Sequence, residues 1–133
     1  MVHTSILASI PNKGEILVKQ TKVSREGKRI YVCMKGDIDD LNALKTKEAI
    51  LEIMASIPEQ VDILVDLREV GSQTESAKKI WPSINDMVQT RKTVIYGVPA
   101  NVAFTFKVVN SIVGKKTLKM FQSRDRALLW VNK

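Results

Sequence analysis

Short apolar runs alternate with amphipathic stretches along the chain, and the period of each predicts its element. Glu15 to Lys19 sets Ile16 and Val18 against polar neighbours, the two-residue period of a half-buried strand. Val23-Ser24-Arg25-Glu26-Gly27-Lys28 is charged and holds a glycine, which predicts a turn. Arg29 to Lys35 contains Ile30, Tyr31, Val32, Cys33 and Met34, the β-branched and aromatic mixture of a buried strand. These two strands are expected to pair as an antiparallel hairpin. Gly36-Asp37-Ile38-Asp39-Asp40 is then expected to break the strand and open a helix, since an aspartate can accept from the free amides of a first turn.

Ala43, Leu44, Ile50, Met54 and Ile57 fall near helical spacing and predict the inward stripe of that helix, which Pro58 ends. Val61 to Leu67 is the clearest strand, short, apolar and bounded by turn residues. Ser72 and Glu75 have the spacing of a capping box. Behind them Ala77, Ile80, Trp81, Ile84, Met87 and Val88 form one helical stripe, with Pro82 inside it predicting a kink or two short helices. Thr93 to Tyr96 reads as a strand ended by Gly97. Asn101 to Val113 fits strand and helix periods alike; its length, with Asn101 as cap and Gly114 as stop, favours helix. Thr117 to Phe121 is a last strand, and Ser123 caps a closing helix with Ala127, Leu128 and Val131 inward. The alternation predicts one α/β domain over residues 1–133, with 1–13 less ordered. Its mixed sheet should have about five strands, with about four helices packed on it.

Composition narrows this further. With 133 residues, 44% hydrophobic and 26% charged, the chain can bury one core without staples. No apolar run reaches the roughly 18 residues of a membrane span. Met1 to Ile10 lacks the basic and long apolar stretches of a secretory signal, so a cytoplasmic location is expected. A single cysteine, Cys33, excludes an internal disulfide framework, and a single histidine, His3, argues against histidine catalysis. The net charge of +7 is uneven: from Arg91 onward nine basic residues face one acid, Asp125, while the stretch before is nearly neutral. Lys115, Lys116, Lys119, Arg124 and Arg126 are the candidates for anion contact. No aromatics interleave with them, so nucleic acid is expected to bind only weakly and without sequence preference.

Little in the sequence points to catalysis. Asp37, Asp39 and Asp40 are too few and too close for a calcium loop and are explained by helix capping and turn formation. No phosphate-cradling glycine loop and no nucleophile elbow is present, and Cys33 has no histidine nearby, which predicts an inert thiol. No metal and no cofactor is expected. Trp81 and Trp130 sit on apolar helix faces and predict packing, or an interface anchor.

Three stretches in order resemble a STAS domain, the fold of bacterial anti-sigma factor antagonists and of the cytoplasmic tails of sulfate transporters. Gly36-Asp37-Ile38-Asp39 resembles the family's turn from strand to first helix. Ile63 to Val70, reading Ile-Leu-Val-Asp-Leu-Arg-Glu-Val, resembles its central strand. Phe121 to Val131, with Ala127-Leu128-Leu129-Trp130, resembles its closing strand and helix, and also the SpoIIAA-like branch near lipid-binding SEC14-type folds. The resemblance covers residues from about 15 to 131. It implies a regulatory protein-binding module, docking through the loop from Arg68 to Ser76 and the helix start behind it. Family antagonists carry Asp-Ser-Ser-Gly there, with the second serine phosphorylated; aligned without gaps, this chain reads Thr74-Glu75-Ser76-Ala77. Ser76 thus matches the phosphoacceptor, while the aspartate, the first serine and the glycine are replaced.

The strand ending at Asp66 is expected to put the following loop at the carboxyl edge of the sheet, where open α/β sheets gather contacts. Candidate partner or ligand residues are therefore Asp37, Asp39, Asp66, Arg68, Ser72, Thr74, Glu75 and Ser76. The leading expectation is a protein partner. The alternative is a small anionic ligand, a nucleotide or a lipid head group, near the same edge.

Overall fold

A computed structural model of the chain describes residues 14–98 and 116–133. Six strands form one sheet in sequence order: β1 (Glu15–Val18), β2 (Thr21–Glu26), β3 (Arg29–Ile38), β4 (Val61–Gln73), β5 (Thr90–Tyr96) and β6 (Leu118–Phe121). β1, β2 and β3 pair antiparallel, and β3 to β6 run parallel. The described helices are α1 (Asp40–Ala55), α2 (Glu75–Lys78), α3 (Ile80–Asn85) and α4 (Arg124–Val131). The fold class is the mixed α/β sheet expected from the sequence. The sheet has six strands instead of five, and the Asn101–Val113 helix lies outside the described residues. Among the described residues no helix is long and apolar enough to cross a membrane.

Several boundaries differ from expectation, each for a local reason. The charged stretch read as a turn is mostly β2, and only Gly27-Lys28 turns. Thr21 and Val23 point to the core while Lys22, Arg25 and Glu26 stay exposed, a half-buried pattern hidden by its polar majority. The Glu15 and Arg29 strands are therefore not hairpin partners, because β2 lies between them. β3 does not break at Gly36 but runs to Ile38, and β4 does not end near Leu67 but runs to Gln73. Two register shifts keep them paired: Cys33 faces Asp66 but Lys35 faces Glu69, and Gly36 faces Val70 but Ile38 faces Gln73. Each shift sets one extra residue on β4, a β-bulge. Asp66 accordingly stands inside the central strand, not at its end, and Arg68 to Gln73 are strand, not loop.

Helix starts follow their caps. Asp39 accepts from the Asn42 amide and Ser123 from the Arg126 amide, both as expected. At the third start Thr74 caps α2, accepting from Ala77 N–H, and Ser72 does not. The stripe carrying Pro82 does form two short helices, but the break comes earlier, at Lys79. Pro82 sits in the first turn of α3, where a missing amide does little harm. Val88, expected inward, is 94% exposed beyond the end of α3.

The sheet has two unlike faces. On one, Ile30, Val32, Met34, Ile63, Val65 and Leu67 pack against Ile50, Ile53 and Met54 of α1 and against Ala77, Trp81 and Ile84. On the other, among the described residues, Leu64, Val94 and Tyr96 pack against Ala127 and Val131 of α4, with Tyr31, Phe121, Leu128 and Trp130 at the margin. Arg91 fastens α4 down: it donates to both oxygens of Asp62 at 2.8 Å and to the Val131 carbonyl at 2.6 Å. Trp81 is fully buried in the larger core. Trp81→Ala is expected to cost about 3–5 kcal/mol, through lost transfer energy and a cavity that α3 cannot close, read as a lower urea midpoint at unchanged slope.

Candidate functional site

The sequence candidates separate into two places. The first is the carboxyl edge of β3 and β4, where the parallel strands deliver their ends to α1 and α2 side by side. Asp37 accepts from the Ser72 amide at 2.9 Å, and that bond holds its carboxyl below the usual range. It leans so close to Gly71 that a Cβ there would stand 2.3 Å from a carboxylate oxygen and push the Asp37 side chain aside. Asp39 caps α1 at 2.8 Å from Asn42 N. The Thr74 hydroxyl accepts from Ala77 N–H at 3.1 Å and donates to Asp40, which ties the two helix starts together. Glu75 pairs with Lys78 at 3.3 Å. Ser76 is exposed and makes no such bond. The three aspartates thus serve as turn and capping groups.

Beside them stand two residues that the sequence reading missed or misplaced. Leu44, expected on the inward stripe of α1, is 52% exposed, and Leu41 one turn before it is 57% exposed. The buried face of α1 runs instead through Asn42, Ala43, Thr46, Ala49, Ile50, Ile53 and Met54. Helical period alone could not assign the leucines, because α1 carries apolar residues around much of its first two turns. Leu41 and Leu44 share a face with Asp40 at three- and four-residue spacing, next to Thr74.

The second place lies on the sheet face that α4 only partly covers. Here Lys22, Ser24, Tyr31, Cys33, Asp66, Arg68, Tyr96 and Arg124 line an open groove of about 270 Å³. Asp66 is clasped by its neighbour two residues on. Arg68 donates from Nε at 3.0 and 3.1 Å and from Nη2 at 2.7 Å, and its amide donates at 3.0 Å. Burial, the largest single influence on Asp66, opposes its charge; the bonds from Arg68 outweigh it and keep the carboxyl below its ordinary value. The same pair holds the Arg68 guanidinium above its usual value. Arg68 lies over the Tyr96 ring, 5.8 Å from its centre, and Arg124 lines the same groove. Burial first, and Asp66 second, push the Tyr96 phenol and the Cys33 thiol up. At neutral pH Cys33 is a thiol and not a nucleophile.

Lys119 and Lys92 sit 5.6 and 4.8 Å from the Trp130 ring centre, and Lys92 also donates to the Trp130 carbonyl. Lys116 and Arg126 are exposed, and Lys115 lies outside the described residues.

No family model matches the chain, and no curated protein does. Solved structures do. A DUF3478-family protein with a SpoIIAA-like fold from Shewanella loihica is similar over 83% of this chain and 90% of its own, at 15% identity and a TM-score of 0.58. The unphosphorylated anti-sigma factor antagonist SpoIIAA is similar over 84% of this chain and 97% of its own, at 9% identity and a TM-score of 0.59. The chain has a SpoIIAA-like, STAS-type fold.

That fold unites the motifs that resembled the family: the strand turning into α1, the central β4, and the closing β6 with α4. Within this SpoIIAA-like frame Asp66 and Arg68 face the groove, while Asp37, Asp39, Ser72, Thr74, Glu75 and Ser76 gather at the edge. The Asp66–Arg68 pair also makes a pH prediction. A carboxylate with a lowered folded value stabilises the fold above its unfolded value of about 3.9, and that contribution fades as pH falls through the folded value. Asp66→Asn should lower the melting temperature by a few degrees at pH 7. The gap to the parent protein should close in strong acid, followed by circular dichroism.

Proposed function

We propose that the chain is a non-catalytic regulatory module of STAS type, working in the cytoplasm, that docks a protein partner on the carboxyl edge of its sheet. The exposed Leu41–Leu44 pair carries this reading. Two large apolar side chains, held on a rigid first turn and ringed by polar groups, have the anatomy of an interface centre and its rim. The rim is acidic, with Asp37, Asp39, Asp40 and Glu75 exposed around the two helix starts. The partner it suits is therefore a protein face with apolar side chains flanked by basic ones. The fold of an anti-sigma factor antagonist supports the same reading.

Leu44→Asp tests it. The leucine is exposed, so stability should change by no more than about 0.5 kcal/mol. The immobilised protein should capture a partner from its own cell extract, and Leu44→Asp should release that partner. Leu129→Asp, which alters a 68% exposed leucine on α4, should keep it. Equal retention by both variants would place the docking surface elsewhere.

Ser76 is the modification point of this module in our reading. It corresponds to the family acceptor, is exposed, and opens α2 beside the same rim. A phosphate there adds a charge of about −1.5 to −2 to an already acidic surface. Kinase activity from the same cell should add one phosphate, seen by mass spectrometry, and Ser76→Ala should abolish it. Addition at Ser72 instead would show that the ungapped alignment to the family motif is wrong.

A further inference from the structure

The groove on the other sheet face has a construction that the docking edge does not explain. Arg68 lies in the stretch of β4 where the register with β3 shifts, and it shares the groove face with Leu64 and Asp66. Arg68 is then fixed from three sides although its side chain is 59% exposed: by Asp66 below, by the Tyr96 ring, and by Gly97. A Cβ at Gly97 would stand 2.2 Å from Arg68 Cγ, and the glycine's φ of +79° is one that other residues rarely adopt. Exposed arginines ordinarily spend conformational freedom to hold one pose. Here the pose is built in.

Arg124 lines the same groove as Arg68 and Tyr96. It forms no ion pair with a described residue, and it opens α4, where the helix dipole is positive and a cation is disfavoured. The other end of α4 shows the favourable arrangement, with Arg91 and Lys92 donating to the Val131 and Trp130 carbonyls. So the cations at the carboxyl end of α4 stabilise the helix, whereas Arg124 works against it. Asp66 offsets the charge of Arg68, and Lys22 and Arg124 leave the groove with an excess of positive charge. What remains directed outward is the unspent part of the Arg68 fork together with Arg124, backed by the amino end of α4.

We infer that this groove is a binding site for a small phosphate monoester, its phosphoryl group held between Arg68 and Arg124 and its organic part lying along Tyr31. The Arg124 fork and the N–H groups that Arg68 does not give to Asp66 can donate to the several acceptor oxygens of a phosphate dianion. The groove of about 270 Å³ exceeds a bare phosphate and is just under the size of common ligand pockets, which start at about 300 Å³. Tyr31 supplies a half-exposed ring wall beyond the charged end. This site is separate from the Leu41–Leu44 edge and does not depend on the partner proposed there.

The test is an amide-resolved NMR titration of the whole chain with phenyl phosphate as probe. Shifts are expected at Tyr31, Cys33, Arg68 and Arg124. Arg68→Gln and Arg124→Gln should each weaken binding about tenfold, the loss of one charged hydrogen-bonding group. Arg126→Gln, an exposed arginine on the same helix, should leave binding unchanged. Affinity should fall as pH drops below about 6, where the monoester takes up its second proton while both arginines stay charged. Inorganic phosphate should bind more weakly than phenyl phosphate, and the reverse would overturn the assignment of an ester. Shifts confined to other surfaces, or equal weakening by Arg126→Gln, would overturn the site itself, since they would mark a diffuse response to charge.

Discussion

The parallel pairing of β3 against β4 is the constraint on which the rest of the structure depends. These two long strands, Arg29–Ile38 and Val61–Gln73, lie at the middle of the sheet and contribute residues to both of its faces. Their residues alternate between the large core under α1 to α3 and the smaller one under α4. Because they are parallel, their ends reach the same edge, and two helices must begin there together. Their lengths differ by three residues, and two bulges absorb part of that difference. One of the two bulges falls next to Arg68; at the other Ser72 donates to Asp37.

What could be read from the sequence follows from how strongly burial constrains each segment. Val61 to Leu67 was legible because it is enclosed on both faces, and a parallel central strand demands an unbroken apolar run. The caps Asp39 and Ser123 were legible because one side chain does the work locally. β2 was not, because only Thr21 and Val23 face the core, and its polar residues resemble those of a turn. The outer halves of β3 and β4 failed for a related reason. Lys35-Gly36-Asp37 and Arg68 to Gln73 hold their place by backbone pairing and bulges, which leave no apolar period to detect. Leu44 failed because its period fits either side of α1, and only tertiary packing decides between them.

The candidate residues show the same division. Asp66 was noticed as a carboxylate at the close of an apolar strand, but its significance lies in being mid-strand and facing away from the main core. Composition carried no sign of this, since the distinction depends on which face of the sheet a helix covers. Arg124 was noticed for its charge. Its relation to Tyr96 and Arg68 arises only when β6 delivers α4 back across β5. The two sides of the sheet can therefore be altered separately: the edge depends on helix starts, and the groove on mid-strand residues and one helix end.

Among the described residues the outermost strands, β1 and β6, are only four residues long, whereas the thirteen-residue β4 is enclosed between neighbours. An open sheet always offers two rims to which another extended chain can add, and a rim of four residues presents few free amides and carbonyls to copy. The stretch best suited to stacking with copies of itself, Val61 to Leu67, is thus sequestered as long as the sheet is intact. Self-association through strands is then a hazard of synthesis and unfolding rather than of the native protein. The sheet's order across its width is in this sense a solubility device, obtained at no cost in core packing.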